Sequence, residues 1–413
     1  MASDKAAAKH QVCLWLTPKI FPDLSDPLPR VREFFDHYAE WTTTADQVVV
    51  VFCAGNGDHI LNYRGLENVQ DSFDWARYNC YAGEHADAMA HNLNWLLRVR
   101  EGGERSYNPY CAGPMFILSE QVMTYRVLQR IYAALREEAD RRGIELRLLE
   151  YLEPGPEFCR SEWKTHRHPE GAPGSADAGG TMATGVIDVC SSLRADERAY
   201  AAYPQGIEEG LCTGDFVAAQ TAAFTRDMEL DGVFLGNQFG LLGFWHPDNA
   251  PEPTPERRAG ITRFFDGLRE QMGDRLIYWM DSYWPAEVEG ERWAMSPENY
   301  RRLDAVMVSN FAVLVERTQI IPNLESRLRI RDQHGGGPKV LFSFDFVDPW
   351  YTYRVHLDDR KNFEYQHQVY RQYGDRCDGV TFFANDTFGH FVTHPPLAET
   401  HAVVTGVLDR RTT

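Results

Sequence analysis

Apolar positions along this chain fall into two alternating kinds of run. Short, densely apolar stretches recur: "QVCLWLTP", "QVVVVFCAG", "IELRLLEYL", "DGVFLGNQ", "RLIYWMDSYW", "DAVMVSNF", "KVLFSFDF" and "DGVTFFAND". Each is a few residues long and rich in Val, Ile, Leu, Phe and Tyr, the pattern of a strand covered on both faces. Between them lie longer stretches with helical spacing. "SEQVMTYRVLQRIYAALREEADRRG" predicts a helix with Ser119 as N-cap. Its apolar stripe runs through Val122, Tyr125, Leu128, Ile131 and Leu135, and Gly143 ends it. Thr254-Pro255 and Ser296-Pro297 each pair a cap residue with proline at the first helical position. "TGDFVAAQTAAFTRDMELDG" runs as a helix straight into the next strand.

Eight strand–helix alternations over 413 residues predict a single (β/α)8 barrel domain, a TIM barrel, spanning 1–413. The rival is an open doubly wound sheet. It often carries a Gly-rich phosphate turn, and neither GxGxxG nor GxxxxGK[ST] occurs here. Two long insertions are expected, at about 65–113 after strand 2 and about 154–213 after strand 3. The second includes the irregular "HPEGAPGSADAGG". Both follow strand C-termini, the face where barrels keep their active sites. No repeat beyond the βα alternation is visible.

Composition narrows the partners. A net charge of −18 disfavours nucleic acid and anionic membranes, and suits neutral or weakly charged small molecules. The 8 cysteines are scattered without a CxxC pair, and Cys13 and Cys53 fall in predicted strands, so a reducing compartment is expected. "MASDKAAAKH" has no apolar signal core and no apolar run spans a bilayer, so the expected location is cytoplasmic. Abundant aromatics are compatible with a homo-oligomer.

In such a barrel the strand ends converge, so their residues define the chemistry. They are Trp15; Asn56 and Asp58; Glu150 and Glu153; Asn237 and Gln238; Asp281 and Trp284; Asn310; Asp345, Asp348 and Trp350; Asn385 and Asp386. This set is carboxylate, amide and aromatic. Amides and carboxylates bind hydroxyls, indoles stack on the apolar faces of sugar rings, and paired carboxylates carry out glycosidic acid and base steps. Period-two alternation places Phe342, Phe344 and Phe346 toward the helices, with Leu341, Ser343 and Asp345 toward the axis. The same reasoning groups Ile277, Trp279 and Asp281 on one axis-facing side. Pro154-Gly155 leaves Glu153 near the rim, whereas Glu150 suits a satisfied internal residue. Asp281, Asp345 and Glu153 are therefore the catalytic candidates. The hydroxyl and ring binders are Trp15, Asp58, Glu162, Asn237, Gln238, Trp245, Trp284, Asn310, Asp348, Trp350, Asn385 and Asp386.

His166 and His168 in "EWKTHRHPE" have a spacing that metal ligands use. Barrel metallohydrolases carry that pair after the first strand, so the stretch reads as a loop or polar flank that includes Glu162, and no metal or cofactor is expected. The absence of GxSxG gives nucleophilic serine catalysis little support.

On "YWMDSYW" and "FSFDFVDPWY" the chain resembles (β/α)8 glycoside hydrolases, without the signature of one family. The best-known retaining clan ends its fourth strand with Asn-Glu and its seventh with Glu. Here those places hold Asn237-Gln238 and Asp345, so its roles do not transfer. The resemblance implies hydrolysis or transfer of a glycosidic bond in an oligosaccharide or glycoside. The alternatives are a non-catalytic carbohydrate-binding barrel, and a metal-assisted hydrolase or lyase using Glu153, His166, His168 and Asp281.

Overall fold

The computed structural model describes residues 10–16, 21, 23–54, 58–61, 63–70, 72–73, 123–152, 213–236, 254–280, 296–308, 320–344, 359–382 and 397–412. Eight parallel strands close into a barrel, so the (β/α)8 expectation holds. In chain order around the ring they are β1 (Gln11–Leu16), β2 (Gln47–Phe52), β5 (Leu146–Leu152), β6 (Gly232–Leu235), β7 (Leu276–Met280), β8 (Ala305–Val308), β9 (Lys339–Ser343) and β10 (Gly379–Thr381). Each of the eight apolar runs supplies one strand. A separate two-stranded antiparallel ladder pairs β3 (Ser72–Phe73) with β4 (Met123–Thr124). Most of the two expected insertions lies outside the described residues.

The helices are α1 (Leu28–His37), α2 (Ala39–Thr44), α3 (Asp58–Leu61), α4 (Tyr125–Arg142), α5 (Thr213–Asp227), α6 (Pro255–Met272), α7 (Ile320–Gln333), α8 (Asp359–Tyr373) and α9 (Leu397–Thr412). Two sequence expectations need correction. Helix α4 is capped by Thr124, whose hydroxyl accepts the Val127 N–H at 3.2 Å, because Met123 and Thr124 are drawn into the β3–β4 ladder. Ser119 lies outside the described residues. Gly143 ends α4 as expected, in the left-handed conformation at φ 67°. Pro297–Arg302 forms a short 3-10 turn instead of an α-helix, because Asp304 must already meet the barrel two residues after it.

Strand alternation divides the buried residues into two layers. Val12, Leu14 and Leu16 of β1 and Val48, Val50 and Phe52 of β2 face the helices. Cys13 and Trp15, with Val49 and Val51, face the axis. The axis is a packed core with a polar plug at its N-terminal end. There the Tyr278 hydroxyl donates to Gln11 at 3.0 Å, the Gln11 amide donates to Gln47, and Gln47 donates to Glu145 at 2.6 Å. A side chain at position 232 would not fit this end, since a Cβ on Gly232 would lie 2.1 Å from the Leu276 carbonyl oxygen.

A repeat missed in the sequence closes the same end. Asp46, Asp231, Asp304 and Asp378 each stand immediately before an even-numbered strand of the ring. Each carboxylate accepts the backbone N–H of a residue at or near the start of the preceding strand: His10 at 2.7 Å, and Leu148, Ile277 and Val340 at 2.8 Å each. Each aspartate N–H returns a bond to the carbonyl of that same residue. An arginine from a helix grips three of the four carboxylates: Arg136 on Asp231, Arg269 on Asp304 and Arg331 on Asp378. The backbone carbonyls of those three aspartates accept from the following strand, at Leu276, Lys339 and Gln11. One residue type thus joins three strands, and the pattern recurs every two strands around the ring.

Candidate active site at the strand C-termini

The described part of the C-terminal mouth is its floor. Trp15 lies at its centre, 6% exposed, edge-on to Tyr151 at 5.2 Å and to Phe234 at 5.0 Å. The indole Nε1 donates to the Thr381 hydroxyl at 3.1 Å, which fixes the indole plane against the adjacent strand β10. Met280, Met307 and the buried Ser343 complete this layer by strand alternation. Below them burial pushes the Cys13 thiol up to about 12, against the smaller opposing pull of its bond to Thr381. The layer is therefore uncharged and largely apolar, with hydroxyls on Tyr151, Ser343 and Thr381. Of its members sequence reasoning found Trp15, as a ligand contact, and Ser343, as an axis-facing position. Tyr151 and Phe234 were findable from strand register, because they are the inward positions nearest the ends of β5 and β6.

Face assignments at the strand ends can be tested up to the last described residue. In β9 the expected alternation holds. Phe342 and Phe344 pack on α8, against Tyr370 at 5.2 and 5.3 Å, while Leu341 lies in the axial layer. Asp345 is the next residue and lies outside the described residues. In β7 Ile277 and Trp279 do share a face, but it is the helix side, with Trp279 against Phe265 of α6 at 5.4 Å. Tyr278 and Met280 point inward instead, because Tyr278 supplies the hydroxyl that plugs the barrel base. The axis-facing expectation for the β7 set is thus corrected for Ile277 and Trp279. Asp281 itself lies outside the described residues.

In β5 Leu149 and Tyr151 face the axis. Glu150 faces the helices, fully buried, and is the satisfied internal residue the sequence suggested. One carboxylate oxygen accepts the Ala54 N–H at 2.9 Å and contacts His59 Nε2 at 3.1 Å; the other accepts the Tyr132 hydroxyl. Burial first, and then the Glu150 charge, push the Tyr132 phenol well above its ordinary value, so it stays a donor. Asp58 begins α3, with its side chain outside the described set. Glu153, Glu162, Asn237, Gln238, Trp245, Trp284, Asn310, Asp348, Trp350, Asn385 and Asp386 all lie outside the described residues. Among the described residues no cluster of His, Cys, Asp and Glu could hold a metal ion, and no helix is long and apolar enough to cross a membrane.

No family model and no curated protein matches the chain. Among solved structures it is similar to the PgaB (BpsB) glycoside hydrolase domain from Bordetella bronchiseptica, at 12% identity over 96% of this chain and 98% of that one, with a TM-score of 0.47. It is also similar to an α-galactosidase from Thermus thermophilus, at 11% identity over 96% and 61%, with a TM-score of 0.42. An α-amylase from Geobacillus thermoleovorans aligns at 9% identity over 98% and 79%, with a TM-score of 0.41. The barrel itself rests on the strand pairing described above.

Proposed function

We propose that the chain is a glycoside hydrolase, or a transglycosidase, acting on an oligosaccharide or glycoside through carboxylates at the barrel mouth. The observation that carries this reading is the alternation of β9 and β5. Leu341 lies on the axis with Phe342 and Phe344 turned away, and we extend this period-two alternation to the next residue in sequence, Asp345. Leu149 and Tyr151 lie on the axis in β5, and the same extension of the alternation takes in Glu153. The described floor of the mouth is uncharged and aromatic, which supports a neutral ring-shaped ligand.

Asp345 and Glu153 become the preferred acid and base, or acid and nucleophile. Asp281 moves to third place, because the series of β7 that contains Trp279 faces α6. Carboxyl groups about 5–5.5 Å apart would retain the anomeric configuration, and a separation of about 6.5–9.5 Å would invert it. Asp58, Asn237, Asn310, Asn385 and Asp386 would bind hydroxyls, with Trp245, Trp284 and Trp350 as stacking surfaces.

The test is a panel of 4-nitrophenyl glycosides of both anomers, furanosides included, run with wild type, D345N and E153Q. The expected result is a fall in kcat of about 10²–10⁴ in both variants, with sugar affinity retained. Turnover unchanged in both variants overturns the assignment. Sugar binding without any turnover by the wild type would leave the non-catalytic binding barrel as the surviving reading.

A further inference from the structure

Helices α8 and α9 leave a groove on the outer side of the barrel, with a volume of about 420 Å³. Its floor is apolar, formed by the buried Val403 and Val407. Ala402 and Gly406 stand beside them on α9, both small and both exposed. A Cβ placed on Gly406 would meet nothing within 4 Å, so no neighbour in this chain requires a glycine there. Glycine inside a helix costs about 1 kcal/mol relative to alanine. At this open position it lets a body outside the chain come close to the α9 backbone.

The two helices run parallel, because their contacts advance in the same direction on both. His367 Nε2 lies 2.9 Å from the Thr400 hydroxyl, and further along both helices Arg410 donates to the Arg371 carbonyl at 3.1 Å. The charges on the groove are therefore sorted by end. Glu364 and Glu399 stand where the helices begin, and Arg371 and Arg410 where they finish, all four exposed. At 1.5 Å per residue, opposite charges lie about 10 Å apart along α8 and about 16 Å apart along α9.

This order of charge selects the occupant. A uniformly acidic or basic partner would match one end of the groove and clash with the other. The same groove turned by a two-fold axis matches both, since the arginine end of each copy meets the glutamate end of the other. The charges also cancel locally, two acidic against two basic, on a chain of net charge −18. Copies of so acidic a chain repel one another on average, and a neutral groove escapes that penalty. We propose that the α8–α9 groove is a homodimer interface, in which α9 packs antiparallel against α9 of a second copy across a two-fold axis near Gly406.

The experiment is sedimentation velocity on the full chain, over a dilution series at low salt. The wild type should be a dimer at high concentration and dissociate on dilution. A monomer throughout the series overturns the assignment. G406W fills the groove and keeps the chain's own contacts, because the space around its Cβ is open. It should weaken dimerisation by about a hundredfold or more. R371E/R410E makes the groove wholly acidic, and E364R/E399R makes it wholly basic. Each alone should be monomeric, and an equimolar mixture should restore a dimer. A dimer whose dissociation G406W leaves unchanged lies on another face and overturns the proposal, as does a mixture that stays monomeric. Far-UV circular dichroism of the same samples checks folding, and if a charge variant does not fold, G406W alone decides.

Discussion

A pH signature in the acid range belongs to Glu138 on α4. Its carboxylate is buried and receives Nε of Arg141 at 2.8 Å and Nε of Arg142 at 2.7 Å, with the Arg32 guanidinium 3.4 Å away. Arg142 also donates to Asp36 at 2.7 Å, so the cluster ties α4 to α1. The hydrogen bond from Arg141, ahead of the opposing effect of burial, lowers the Glu138 carboxyl from the ordinary 4.5 to about 2. At 1.36 kcal/mol per pH unit that drop corresponds to at most about 3 kcal/mol. The Arg141 side chain is 57% exposed, so water screens part of the pairing and about 2 kcal/mol is the working figure. Because the folded value lies below the unfolded one, this stability is complete above about pH 4.5 and is lost as the pH falls toward about 2. The assay is urea denaturation of wild type and E138Q, followed by tryptophan fluorescence at steps from neutral to acid pH. At neutral pH the wild type should lead by about 2 kcal/mol, and the lead should shrink steadily below about pH 4.5. A gap that stays constant, or widens in acid, would refute the pairing as the source of the stabilisation.

Two further outcomes follow from the fold. Asp304→Ala should lower unfolding stability by about 2 kcal/mol, because it strands the Ile277 N–H and removes the carboxylate partner of Arg269, which keeps its bonds to the Arg302, Gly273 and Arg275 carbonyls, while glycoside turnover stays unchanged; an unchanged denaturation midpoint would count against the clamp. Cys13 should resist thiol reagents in the native protein near pH 8, where a thiol raised to about 12 is only about 10⁻⁴ thiolate, and should label after unfolding. Mass spectrometry of the Cys13 peptide distinguishes the two states, and rapid native labelling would contradict the buried placement.

How much could be read in advance depended on whether a strand broke its own symmetry. All eight strands were legible, since doubly covered β-segments are continuous apolar runs bounded by turn residues. Facing was legible in β9, where Ser343 interrupts a row of phenylalanines and marks the axial side. It was not legible in β7. "LIYWM" is apolar at every position, so either face suits the core, and a hydroxyl partner across the barrel base decided the matter. The aspartate clamps were hidden for a related reason. Aspartate before a strand has a ready local explanation as a turn residue, and Arg136, Arg269 and Arg331 look like ordinary charges on amphipathic helices. Only closure of the ring brings each pair together. Glu150 was legible as internal because it lies inside the apolar run of β5 ahead of the rim, but its donors, Ala54, His59 and Tyr132, carry no mark in the sequence that pairs them with it.

The aspartate joints have a consequence for tolerance to change. They grip the barrel at the ends where strands begin, and the proposed chemistry gathers where strands finish. A library randomised only beyond the last residue of each strand leaves every joint intact. Such a library should return a high proportion of folded members even when most have lost their original ligand, which makes this scaffold a practical starting point for directed evolution of new specificities.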